Sequence, residues 1–190
     1  MARPREFDPD AVLEQATRVF WARGFENTSL DDLCEATGLN RSSLYAAFGD
    51  KRDLYLKSLA RYEDGSAARI AAALENKPIR EGLADFLEGL IDSIVQGPGR
   101  RGCFIGNCAA EMARLDKSAA ARVKKSLQRI EEAFFAALER GGLANPRALA
   151  RFITAGVQGL RLFGKANPDR AALQDVAATM LQCLDPQGDR

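Results

Sequence analysis

Apolar residues recur three and four positions apart almost from end to end of this chain, while runs of alternating β-branched residues are missing. That period belongs to the α-helix, so the fold class expected is all-α. The helix ends are written in capping residues. Asp8-Pro9 sets an N-cap before a proline at the first helical position, and Gly24 closes that helix after Val12, Leu13, Ala16, Val19 and Phe20. Ser29 with Asp32 has the pattern of a capping box for a short helix over Leu30 to Thr37, and Gly38 supplies the left-handed residue that ends it. Asn40 caps a third helix running to about Phe48. Asp50 with Asp53 caps a fourth, which carries Leu54, Leu56, Leu59 and Tyr62 on to about Leu74. Stops at Asn76 to Pro78, Gly97 to Gly102, Asp116, Gly141-Gly142 and Asn167-Pro168 divide the remainder into five more helices, nine in all. No linker interrupts the fourth helix, which is expected to join two domains rigidly, residues 1–50 and 51–190.

With 46% hydrophobic and 28% charged residues in 190, the chain can bury a real core. No stretch approaches the roughly 18 apolar residues of a membrane span. The start, MARPREFDPD, lacks the apolar core of a signal peptide, so a cytoplasmic location and no membrane partner are expected. Four cysteines, Cys34, Cys103, Cys108 and Cys183, then read as free thiols. A net charge of +1 neither demands nor excludes a nucleic-acid partner. Residues 97–129 hold eight basic groups against two acidic ones, which reads as a solvated helix face. With no histidine, no glycine-rich phosphate loop and no Ser or Cys beside an evident base, nothing assembles a catalytic site, and no cofactor is implied.

The informative stretch is Thr28 to Phe48. Two short helices meeting at a glycine-containing turn have the layout of a helix-turn-helix. Leu30, Leu33, Ala36, Leu39, Leu44 and Phe48 can pack the pair onto the first helix, leaving Arg41, Ser42, Ser43, Tyr45 and Ala46 outward. Side chains of this size suit base edges in a groove, and Thr28, Tyr45 and Lys51 are placed to hydrogen-bond flanking phosphates. A merely solvated polar face is the competing reading, as is a disordered tail for Arg3 and Arg5, which could otherwise form an arm on DNA. Residues 7–62 resemble the DNA-binding domain of the TetR family of repressors, through Phe20, Gly24, Thr28, the Gly38 turn, and Leu44-Tyr45 followed by Phe48, Lys51 and Leu54. The resemblance implies nine helices, three for DNA and six for dimerisation and ligand binding. It puts the recognition positions on Asn40, Arg41, Ser42, Ser43 and Tyr45, and the phosphate contacts on Thr28, Tyr45 and Lys51. Ser42 stands where the family often has Gly, and Ala47 where it often has an aromatic residue or His.

One helix-turn-helix offers few contacts, so a homodimer reading a palindromic double-stranded DNA operator is expected. The resemblance puts the dimer interface on the last two helices, about Pro146 to Lys165 and Pro168 to Leu184. Phe152, Ala155, Gly156, Gly159, Leu160 and Phe163 offer an apolar, Gly-notched surface there, joined by Leu173, Val176, Ala177, Met180 and Leu181, with intrachain core as the competing reading. Phe86, Leu90, Ile94, Phe104, Met112, Ile130, Phe134 and Leu138 could line an apolar cavity for a small-molecule inducer. The segment Arg100 to Met112 resembles a Gly-Cys-Phe-x-x-Asn-Cys motif of one TetR subset. Its Cys103, at a helix start beside Arg100 and Arg101, is a candidate sensor for oxidants or electrophiles, with Asn107 in the same motif and Lys165 as a possible polar neighbour; an inert buried thiol is the alternative. Cys103 and Cys108, five apart, diverge on a helix, whereas Cys108 and Met112 share a face that a soft metal could use; core packing is the simpler reading, and no metal is assigned. The chain thus reads as a transcriptional regulator released by a ligand or by cysteine modification, with a helical protein-interaction module without DNA binding as the alternative.

Overall fold

The computed structural model describes residues 7–185. Among them nine α-helices follow one another: α1 (Pro9–Arg23), α2 (Leu30–Thr37), α3 (Arg41–Phe48), α4 (Lys51–Leu74), α5 (Ile79–Gln96), α6 (Phe104–Glu111), α7 (Lys117–Arg140), α8 (Pro146–Ala166) and α9 (Arg170–Gln182). A 3-10 turn, Pro98–Arg101, lies between α5 and α6 where the sequence suggested only a break. Arg3 and Arg5 lie outside the described residues.

The caps form as their chemistry requires. Ser29 and Asp32 close a reciprocal capping box on α2, and Asp50 with Asp53 closes another on α4. Asn40 Oδ1 accepts from the Ser43 N–H to start α3. Gly38 ends α2 at φ 70°, the left-handed conformation glycine adopts without strain. α9 starts later than expected, because Asp169 rather than Asn167 accepts the first free N–H, from Ala171. Asn167 and Pro168 stay in the connection.

The reader consists of α1 to α3 closed by the start of α4. Phe20, Leu33, Leu44, Phe48, Leu54 and Tyr55 are buried there, each worth about 1.5–3 kcal/mol in removal from water. Ala36, expected inside, is exposed. α4, 24 residues and so about 36 Å long, packs on α1 at one end and on α7 and α5 further along. It forms the common wall of both halves. α7 lies against α8, and α5 against α9. No helix among the described residues is long and apolar enough to cross a membrane.

Candidate nucleic-acid interface and its link to the regulatory helices

The outer face of α3 carries the groove-facing candidates. Leu44 and Phe48 point inward and are buried, so Arg41, Ser42, Tyr45 and Ala46 are left exposed, with Ser43 half-buried. Asn40 holds the helix start: its Oδ1 accepts from the Ser42 hydroxyl at 2.7 Å as well as from the Ser43 N–H at 2.9 Å. Arg41 reaches back across the turn to Asp31, with Nη2 at 2.7 and 2.8 Å from the two carboxylate oxygens. Both partners are exposed, so water and salt screen the pair and it contributes little to stability. The guanidinium is therefore parked, and can exchange its carboxylate for another anion. Lys51, at the first position of α4, has its ammonium 4.5 Å from the Phe25 ring centroid, which fixes that charge beside the reader.

Thr28 departs from expectation. Its side chain is buried, and its hydroxyl donates to the Gly24 carbonyl at 2.6 Å. It shapes the α1–α2 turn instead of facing solvent where a phosphate would lie.

That turn is also where the regulatory half takes hold. Glu111, the last residue of α6, accepts hydrogen bonds from the backbone N–H groups of Phe25 at 3.0 Å and Glu26 at 2.8 Å. Gly24 makes room for it: a Cβ at this residue, φ 81°, would sit 2.8 Å from a Glu111 oxygen. At the other end of α6, Trp21 Nε1 donates to the Gly102 carbonyl at 3.0 Å. A third tie joins Arg52 of α4 to Asp116, the N-cap of α7, whose carboxyl is held well below the usual carboxylate range mainly by that guanidinium. Aromatic rings fill the space between. Tyr55 meets Phe20 at 5.1 Å and Phe104 of α6 at 5.3 Å, and Tyr62 meets Trp21 at 5.2 Å and Phe104 at 5.7 Å, all edge-on. Trp21, Tyr62, Glu111, Arg52 and Asp116 were not among the sequence candidates. The partners named for them lie 41 to 86 residues away in the chain, beyond the reach of periodicity or capping patterns.

The motif residues spread around this junction. Cys103 is the N-cap of α6 and is buried, with its thiol against the Tyr62 hydroxyl, whose pKa is pushed up to about 12, chiefly by burial. Arg100 and Arg101 are exposed, and Arg101 lies over the Trp21 ring. Asn107 donates to the Arg101 carbonyl and accepts from Lys165 Nζ at 3.1 Å, so the suggested neighbourhood of Lys165 and the motif exists. Cys108 is fully buried beside Tyr55, and desolvation pushes its thiol up to about 11, which keeps it protonated and unreactive near neutral pH.

The expected cavity residues divide. Phe86 and Leu90 line a cleft of about 530 Å³. Met112 and Phe134 do not: both are buried in the core, Phe134 edge-on to Phe86 at 5.7 Å and Met112 at the C-cap of α6. The seam expected on the last two helices divides as well. Leu160, Leu173, Ala177 and Met180 are buried within the chain, whereas Phe152, Ala155, Gly159, Phe163 and Val176 face outward together with Leu162, which is 72% exposed and had not been singled out. Positions 152, 155, 159, 162 and 163 fall on one stripe of α8.

Fold and site together define a DNA-binding transcriptional regulator of the helix-turn-helix class. The family model for bacterial regulatory proteins of the tetR family matches residues 12–57, and that for the LmrA/YxaF-like transcriptional regulator C-terminal domain matches residues 79–179. Over 97% of its length the chain is 31% identical to the HTH-type transcriptional regulator YezE of Bacillus subtilis, covering 100% of it, and over 95% it is 33% identical to the HTH-type transcriptional repressor ComR of Escherichia coli, covering 90% of it. A cysteine mutant of the TetR family transcriptional regulator CifR, solved with 26-base-pair double-strand operator DNA, superposes with a TM-score of 0.84 at 29% identity, covering 97% of this chain and 100% of that one. The chain belongs to the TetR family.

Proposed function

We propose that this protein is a homodimeric one-component repressor, bound to a palindromic operator and released when a small molecule occupies its regulatory half. The observation that carries this reading is the outward face of α3, with Arg41, Ser42 and Tyr45 exposed on a helix whose other side is locked into the core. Residues 1–50 act as the reader and 51–190 as the regulatory and dimerising part. Asn40, Arg41, Ser42, Ser43 and Tyr45 face base edges, and Tyr45 and Lys51 hold phosphates. The exposed stripe of α8 with Val176 of α9 forms the contact between copies. The repressor ComR and the operator complex of CifR support repression at an operator. Among the described residues, no group argues for catalysis.

The second route of release is covalent and belongs to the subset with the Gly-Cys-Phe-x-x-Asn-Cys motif, in which Cys103 is the sensing thiol. Its place at the start of α6, one residue from the carbonyl that holds Trp21, supports this: an adduct there would displace both. The test is a gel shift on the promoter adjoining the protein's own gene. A specific shift is expected; a chain that shifts no duplex even at low salt is an interaction module. Oxidant should weaken the shift in the parent and leave Cys103→Ser bound, and an equal response of the two removes the cysteine route alone.

A further inference from the structure

We infer that the cleft between α1, α4, α5 and α8 is a binding site for a small organic anion with an aromatic body. Three rings, those of Trp21, Tyr62 and Phe86, stand on its walls, and its volume of about 530 Å³ lies within the range of small-molecule pockets. Arg69 and Arg161 also line it. Eleven other arginines of this chain hold a carboxylate within ion-pair distance. These two hold none among the described residues. Arg161 rests on the Tyr62 hydroxyl at 3.3 Å and Arg69 on the Ser66 hydroxyl at 3.3 Å, neutral partners that satisfy geometry and leave the charge uncompensated. Asp85 is the cleft's one lining carboxylate, and Lys77 already neutralises it. The wall therefore carries two positive charges in excess, in a half-enclosed cleft where a carboxylate or sulfonate gains more from a guanidinium than it does in open water.

The occupant's body is set by the rings and its charge by the arginines. An uncharged isostere would keep the first set of contacts and lose the second. A cation would be repelled. The consequence for DNA rests on the repressor reading above. Trp21 belongs to the reader's α1 and donates to Gly102 at the start of the α6 segment, so an occupant touching its ring acts on the joint between the two halves.

Trp21 is the single tryptophan of the chain, so its emission reports the cleft directly. The full-length protein is titrated with para-tert-butylbenzoate, with the amide of the same acid, and with para-tert-butylbenzylamine, by fluorescence and calorimetry. The benzoate is expected to saturate, the amide to bind roughly tenfold more weakly, and the amine weaker still. Arg69→Gln with Arg161→Gln should remove most of the benzoate's advantage and leave the amide unchanged. Gly89→Leu, which adds a side chain at a lining helical glycine with open space beside it, should block both ligands while thermal unfolding stays cooperative. Equal affinity for benzoate and amide, an unaltered benzoate affinity in the double variant, or no saturable response from the parent protein overturns the inference. Repeating the gel shift with benzoate separates the two readings: a saturable benzoate site with unchanged DNA affinity keeps the cleft and sinks ligand release.

Discussion

Arg41 spends the free state clasped to Asp31 on an exposed surface, an arrangement that orients a guanidinium along α3 without stabilising the fold. Its value then lies in what replaces the carboxylate. Arg41→Ala is expected to cost about 1–3 kcal/mol of operator binding and to relax sequence preference at one position, with little change on unrelated duplex. Lys51→Ala should instead weaken operator and unrelated DNA alike and lower the salt slope by about one ion, because a phosphate contact carries no sequence. Fluorescence anisotropy against both duplexes at several salt concentrations tells them apart, and indistinguishable behaviour of the two variants would refute the division of roles. Asp32 makes a different kind of statement. Its carboxyl is held down to about 2 by the Ser29 N–H and hydroxyl and then by Arg23, against an ordinary 3.8. A depressed acid stabilises the fold when ionised, so its contribution is whole above about pH 4 and disappears as pH falls through about 2. Parent protein and Asp32→Asn should therefore converge in unfolding midpoint across that window. A gap that persists to the acid end would mean the cap works without its charge.

Among the elements, α6 has a role out of proportion to its eight residues. Both its ends are fastened to the reader, through Gly102 to Trp21 and through Glu111 to the turn at Phe25 and Glu26. A displacement of α6 thus changes two contacts with α1 and its turn at once. Glu111→Ala leaves two backbone N–H groups without their acceptor, at a cost of about 1–3 kcal/mol in stability, and should lower operator affinity without touching α3. Glu111→Gln, which keeps one acceptor oxygen, should recover part of both. If Glu111→Ala binds operator as the parent does, the turn is not a path between the halves. The local part of this architecture was legible in the sequence: Ser29 and Asp32, Asn40, Gly38 and Gly24 set helix ends through neighbours three or four residues off, and the chain obeys them. What joins the helices was not. Glu111 appeared as an ordinary member of a helical segment, and only the fold brings it within 3.0 Å of a turn 86 residues earlier. Thr28 failed for the opposite reason, since a hydroxyl at a turn can face a phosphate or its own backbone with the same spacing, and burial decided for the backbone. Met112 and Phe134 were apolar at helical spacing, a pattern shared by core and cavity wall, so periodicity could not separate them from Phe86 and Leu90.

At the scale of the whole molecule, the described chain leaves Phe152, Leu162, Phe163 and Val176 in water on its last two helices, 42 to 72% exposed, whereas the other exposed large apolar side chains, Tyr45 and Leu115, stand apart in sequence, outside those two helices. Burying one such side chain fully is worth about 1.5–3 kcal/mol, and a two-fold axis doubles every contact, so a second copy of this face is the economical cover. Symmetry also makes the seam fragile. An acidic residue placed near the axis is buried twice, opposite its own image. Leu162→Asp is accordingly expected to weaken dimerisation by at least roughly a hundredfold in Kd while leaving helicity intact, because position 162 touches little within its own protomer. Sedimentation velocity across a dilution series measures the first and far-ultraviolet circular dichroism the second. Operator affinity should fall with dimerisation, since one reader covers only half of a palindrome, while binding of para-tert-butylbenzoate in the cleft should survive, its walls coming from one chain. A Leu162→Asp protein that stays dimeric and folded places the contact elsewhere on the surface. One that turns monomeric yet grips the full operator as before would show that a single reader suffices, and the two-fold arrangement would then have no part in recognising DNA.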